Sequence, residues 1–202
     1  MFESPRDLSK AAPRWWITPR VRRLLFLVLG VVLIALAAQV TVPMVPVPMT
    51  LQTWAVLVVG AVGGWRMALA VLAMYCLVAA LGAPVLADGA SGVDRLVGPT
   101  AGYIVGFFLA GAGVGLARVR RWAGRRLGRW TLAAAGGHLL ILATGFAWLG
   151  GKIGWMPALE DGVEPFLLGA VAKSLLAALS IRLLLGLRRQ SVAGRSGELP
   201  HS

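Results

Sequence analysis

Arg118-Val-Arg-Arg-Trp-Ala-Gly-Arg-Arg-Leu-Gly-Arg129 holds six arginines and no acid in twelve residues, and it divides an apolar stretch at 98–117 from another at 131–150. Outward from it, further apolar stretches run at 21–40, 49–63, 66–82 and 163–187. The gaps between them alternate in charge. Arg6, Lys10, Arg14, Arg20, Arg22 and Arg23 precede the first stretch, Arg66 lies between the second and third, and Arg182, Arg188, Arg189 and Arg195 close the chain. Together with the central segment these make seventeen of the twenty basic residues. The other gaps hold only Arg95 and Lys152, against Asp88, Asp94, Glu160, Asp161 and Glu164. Membrane proteins keep their Lys and Arg excess in cytoplasmic loops. The pattern therefore predicts an all-α membrane protein with six transmembrane helices, multi-pass in the cell membrane, with its N and C termini cytoplasmic.

Composition agrees. The chain is 58% hydrophobic and 14% charged, far more apolar than a soluble domain. A net charge of +12 would suit nucleic acid if it were gathered on a soluble face. Here it punctuates runs of bilayer length, so the partner it implies is the lipid bilayer and no nucleic acid. Six spans leave a cytoplasmic tail at 1–20, one membrane domain at 21–187 and a second tail at 188–202. Trp15 and Trp16 fall where an interfacial anchor belongs. The single cysteine, Cys76, can form no intrachain disulfide. A competing reading takes the basic N-terminus and Ala35-Leu36-Ala37 as a signal peptide with its cleavage site, which would leave five spans. The even-span topology fits the later loops better.

Proline marks where regular structure must stop. Val42-Pro-Met-Val-Pro-Val-Pro-Met49 cannot continue a helix without losing hydrogen bonds, and non-helical backbone at membrane depth needs shelter from lipid. It reads as an ordered loop on the outer side. Small residues four apart, at Gly102, Gly106 and Ala110 and again at Ala133 and Gly137, are expected where helices pack closely.

Lys173 is the residue that packing does not explain. It lies within the last apolar run with no carboxylate inside four residues on either side, and a charge at that depth marks a substrate or ion path by default. Over a dozen residues separate it from Arg188, too far to snorkel inward. A desolvated ammonium suits the carboxylate of a small, mostly apolar acid. Thr100, Tyr103 and Phe107 share one face of the fourth apolar stretch, which opens on Gly98-Pro99. Gln52 opens the second, where it could bond a ligand amide or cap the helix. Against these stand the absences: no phosphate-binding glycine loop, no nucleophile–base pair, and His138 and His201 isolated from any metal set. No catalytic residue, cofactor or metal is expected, and an enzyme is the weakest reading.

Four stretches in order, Val45-Pro-Val-Pro-Met-Thr-Leu-Gln-Thr53, Leu81-Gly-Ala-Pro-Val-Leu-Ala87, Gly98-Pro-Thr-Ala-Gly-Tyr103 and Pro165-Phe-Leu-Leu-Gly169 followed by Lys173, give the chain its likeness. It resembles the BioY family, the biotin-specific substrate-binding component of energy-coupling-factor vitamin transporters. The resemblance covers roughly 24–187. It implies an outward-facing vitamin pocket closed by the loops at 41–49 and 83–97. It also implies biotin as ligand, and a membrane coupling subunit with cytoplasmic ATPase subunits as partners. On this likeness Lys173 would take the valerate carboxylate, Tyr103 the ring, and Thr100, Gln52 and Asp88 the polar edges. The family pattern P-F-x-P-G-D-x-x-K is departed from at Leu168 and Ala170, so an acceptor for a ureido N–H is missing there. Asp88 or Asp94 would have to replace it. The first helix offers only a blurred small-residue face for docking, Val31 with Ala35 or Gly30 with Ile34. A non-transporting scaffold, or a carrier for a related small carboxylic acid, is the alternative.

Overall fold

The computed structural model describes residues 18–119 and 126–196. Arg120, Arg121, Trp122 and Arg125 of the central basic segment lie outside those residues, as do Trp15, Trp16 and the rest of 1–17, and 197–202 of the second expected tail.

The described chain is helical. The elements run α1 (Pro19–Gln39), strands β1 (Thr41–Val42) and β2 (Met49–Thr50), α2 (Gln52–Gly63), α3 (Trp65–Ala80), α4 (Val93–Leu96), α5 (Ala101–Val119), α6 (Leu127–Ile153), α7 (Trp155–Gly162) and α8 (Phe166–Ser196). The protein is a multi-pass membrane protein: α1, α5 through Arg118, α6 and α8 through Gly186 are each long and apolar enough to cross a bilayer. The remaining two apolar stretches form shorter helices. At 1.5 Å per residue, α2 with 12 residues spans about 18 Å and α3 with 16 about 24 Å. Both fall short of a hydrocarbon core of about 30 Å.

The shortness of α2 has a local cause. Residues 49–51 do not join the helix, because the proline segment before them folds back as a hairpin. Thr41 pairs with Thr50 and Val42 with Met49, and the Val45–Pro46 peptide is cis. Eight of the twelve residues of α2 are buried, among them Ala55, Val56, Leu57 and Val58. It is the central helix, packed against α1, α3, α5 and α8. Gly64 then reverses the chain with φ 83°, a conformation that glycine adopts without strain, and α3 starts at the next residue. A side chain on Gly115 of α5 would collide with the Gly64–Trp65 backbone, so this turn and α5 sit in direct contact.

The largest interface lies between α5 and α6. Gly102 and Gly106 bring α5 onto the Thr144 and Ile141 backbone of α6, and Gly137 lies against Leu57 and Ala110. Close approach of small residues is how helices gain contact in lipid. The two lines of small residues touch where Gly137 meets Ala110, while Gly102 and Gly106 face Thr144, Trp148 and Ile141, and Ala133 lies in an apolar groove with Gly113 and Gly136.

Two ends can be told apart. At one, Thr18 caps α1 by accepting from Val21 N at 3.3 Å, Arg118 donates to Val62 O, and Arg22, Arg23, Arg66, Arg126 and Arg129 lie at or near the starts of α1, α3 and α6. At the other lie the proline hairpin, the 81–100 segment and α7, an eight-residue helix where only a loop was expected. Trp148 Nε1 donates to Gly98 O at 2.9 Å and ties α6 to that segment. Gln39, ending α1, donates to Leu86 O at 3.0 Å and accepts from Gly89 N at 3.1 Å. We call these the arginine end and the loop end.

Only Gly30, Ile34, Ala37 and Ala38 of α1 are buried. Leu24, Leu25, Val28, Leu29 and Leu36 stand exposed, as do Leu167, Leu168, Val171, Leu175 and Leu179 on α8. Apolar surface of that extent is lipid-facing. Gly30 packs on Val71 of α3, so the Gly30–Ile34 face expected for docking is turned inward. The last helix also outruns the apolar stretch ending at 187, because Leu, Arg, Gln and Ala all propagate helix well and no proline intervenes before Pro200.

Candidate ligand-binding site

A cavity of about 440 Å³ opens at the loop end, walled by the proline hairpin, the 86–100 segment and the helices α2, α3, α5, α6 and α8. Small-molecule sites range over roughly 300–1,000 Å³. Lys173, Tyr103, Thr100, Gln52 and Asp88 all line it, as does Phe107. Five residues chosen from four separate stretches of sequence are thereby brought to one wall or another of a single space.

Each is held differently. Lys173 projects from the second turn of α8, and its ammonium donates to Thr50 O at 3.0 Å. That carbonyl belongs to the hairpin, so the charge faces the loop end and lies far from Arg182. Gln52 is 7% exposed; its Nε2 donates to Tyr75 Oη at 2.7 Å, and Tyr75 donates onward to Val85 O at 2.9 Å. Its Oε1 accepts from Thr50 Oγ1 at 3.1 Å. Gln52 therefore links α2, α3 and the outer segment, more than the helix cap that was one of its two expected roles.

Tyr103 forms an aromatic wall. Its ring stacks on Phe166 with centroids 6.0 Å apart and planes at 28°, and its hydroxyl donates to Gly162 O at 2.7 Å. Gly145 of α6 leaves the space that the ring fills, since any side chain there would overlap it. Thr100 donates to Arg95 O at 3.1 Å and fixes the turn that leads into α5. Asp88 sits at the rim, exposed, with φ 57° and its carboxylate accepting from Thr41 Oγ1 at 2.8 Å.

Ala170 also lines the cavity, one turn before Lys173. Across from it are polar groups that the sequence did not single out. His138 is 3% exposed and joins three helices. Its Nε2 lies 3.0 Å from Thr53 Oγ1 on α2, and its Nδ1 lies 2.8 Å from Ser174 Oγ on α8 and 3.1 Å from Ala134 O. Thr53, Tyr75, Asp94 and Arg95 are lining residues too. The available signal was depth: His138 and Tyr75 are polar side chains inside apolar runs, where the membrane makes unpaired polarity expensive. Among the described residues no cluster of His, Cys, Asp and Glu could hold a metal ion.

A helical bundle with a largely apolar cavity at one end and an ammonium on its wall has the form of a membrane binding protein for a small solute. The BioY family model matches residues 8–190, and the chain belongs to the BioY family. A biotin transporter BioY of Rhodobacter capsulatus is 36% identical over 173 residues, 76% of this chain and 89% of that protein. The biotin transporter BioY2 of Lactococcus lactis is 32% identical over 162 residues, 77% of this chain and 86% of that protein. The crystal structure of the S-component for biotin from an ECF-type ABC transporter has the same fold, with a TM-score of 0.74 at 20% identity over 84% of this chain and 95% of that one.

Proposed function

We propose that the protein is the biotin-binding subunit of an uptake system, taking biotin from the outer side of the membrane. Family membership supplies the substrate class, and one observation supports it from the structure: an ammonium on the wall of a largely apolar chamber beside a stacked Tyr–Phe pair. Biotin carries a carboxylate on an aliphatic tail and a urea on a compact bicycle. Lys173 would receive the carboxylate by exchanging its bond to a neutral carbonyl for a charge-assisted one, the stronger kind. Tyr103 and Phe107 would pack on the apolar atoms. Gln52 would offer its second amide hydrogen to the ureido carbonyl. Thr100 and Asp88 would act at the rim, Asp88 by pinning the hairpin to the 86–100 segment. Nothing in this arrangement asks for bond making or breaking, and the reading is of a transporter component and no enzyme.

Six crossings complete the reading. The short α2 and α3 would cross with the help of the hairpin and the 81–100 segment, which extend the sheltered path to the outer face. Both termini would then be cytoplasmic, with 21–187 as the membrane domain flanked by tails. A coupling transmembrane subunit with ATPase subunits would supply the energy, since the chain carries no nucleotide motif of its own.

Equilibrium binding of labelled biotin to the solubilised protein, with other vitamins and small carboxylic acids as competitors, tests the assignment. Saturable binding displaced by biotin alone is expected. Binding of another acid in preference would identify a carrier for a relative of biotin, a reading favoured by Ala170 standing where the family has Asp. No binding of any acid would leave a scaffold. Co-purification with coupling and ATPase subunits tests the partners.

A further inference from the structure

We infer that the Thr53 hydroxyl, primed by His138, is the acceptor for a ureido N–H in this chain and takes over the part left vacant by Ala170. The inference rests on the biotin reading and adds a residue to it.

With the imidazole neutral, as burial at 3% exposure favours, the hydrogen bonds around His138 fix every proton. Ser174 Oγ lies 2.7 Å from Ala170 O, and a carbonyl oxygen only accepts, so the serine hydrogen is committed there. Towards His138, Ser174 then presents lone pairs at 2.8 Å from Nδ1. Ala134 O, also an acceptor only, stands 3.1 Å from the same nitrogen. Two acceptors facing Nδ1 require that it carry the hydrogen. In a neutral imidazole Nε2 is then bare. Thr53 Oγ1, 3.0 Å from Nε2, must donate to it.

That donation uses the only hydrogen the threonine has. What Thr53 shows the cavity is therefore lone pairs alone, on a side chain held by a buried histidine rather than free to rotate. A hydroxyl that can both give and take discriminates weakly between N–H and oxygen; one locked as acceptor discriminates as a carboxylate would, without a buried negative charge. Ala170 contributes to the same device through its backbone carbonyl, which orients Ser174.

The test compares biotin with the two carbamate analogues in which one or the other ureido N–H is replaced by oxygen, measured by equilibrium binding to the purified full chain. Thr53→Val, which keeps the shape and removes the oxygen, should weaken biotin about tenfold or more, the usual effect of deleting a buried partner. It should leave the affinity for one of the two carbamates unchanged. Thr53→Ser should bind biotin nearly as the parent does. His138→Leu frees the threonine hydrogen and should shrink the parent's preference for biotin over that same carbamate, so the proposal remains testable even if Thr53→Val fails to fold. An equal loss for all three ligands in Thr53→Val, or an unchanged preference in His138→Leu, would overturn it. A parent protein that binds no biotin would refute the functional reading instead, and the two failures are distinct.

Discussion

Lys173 was legible because a lone charge in an apolar run has few explanations, and the cavity gives it the surroundings such a charge needs. Lys173→Ala is expected to cost biotin about 2 kcal/mol, some thirtyfold in Kd, the scale of a hydrogen bond to a charged group; equilibrium binding checks it, and an unchanged Kd would remove the carboxylate role. Tyr103→Phe keeps the stacked ring but strands Gly162 O without its donor. It should lower the thermal midpoint in detergent by more than it changes biotin affinity. Other contributors could not be read from the chain. His138 looks isolated in sequence because its partners are 36 and 85 residues away, and a hydrogen bond across helices leaves no spacing to recognise. Asp88 was chosen for its charge, yet it already accepts from Thr41, a pairing that depends on a hairpin no periodicity announces.

Apolar stretches located every long helix, since burial in lipid and burial in protein favour the same residues and length alone separates them. Their ends were less legible. The α2 boundary moved because strand pairing at Thr41–Thr50 captured residues that hydropathy assigned to a helix, and α7 went unseen because eight residues are too few for a periodic signal. Glycine placement makes a sharper prediction at this scale. Gly145→Val drives a side chain into the Tyr103 ring and should destabilise the α5–α6 pair by about 1–3 kcal/mol, read as a lower melting temperature together with weaker biotin binding. Gly136→Ala meets nothing within 4 Å and should leave both quantities unchanged or raise the melting temperature slightly, given the better helix propensity of alanine.

On the six-span reading, charge placement along the chain would set an orientation that no packing interaction within the bundle could supply, because a bundle turned over keeps all its internal contacts. In a Cys76→Ser background, Gly128→Cys should react with an impermeant maleimide only from the cytoplasmic side of oriented vesicles, and Val97→Cys only from the outside. Labelling of both from one side would contradict the six-span arrangement. The grip of α1 on the rest also bears on how the molecule responds to force. Four buried residues anchor a helix of 21, while its final side chain holds both Leu86 and Gly89. Displacing α1 sideways would therefore pull on Leu86, a wall residue of the chamber, through the Gln39 amide. A helix with so few buried anchors would work as a handle on the chamber's rim.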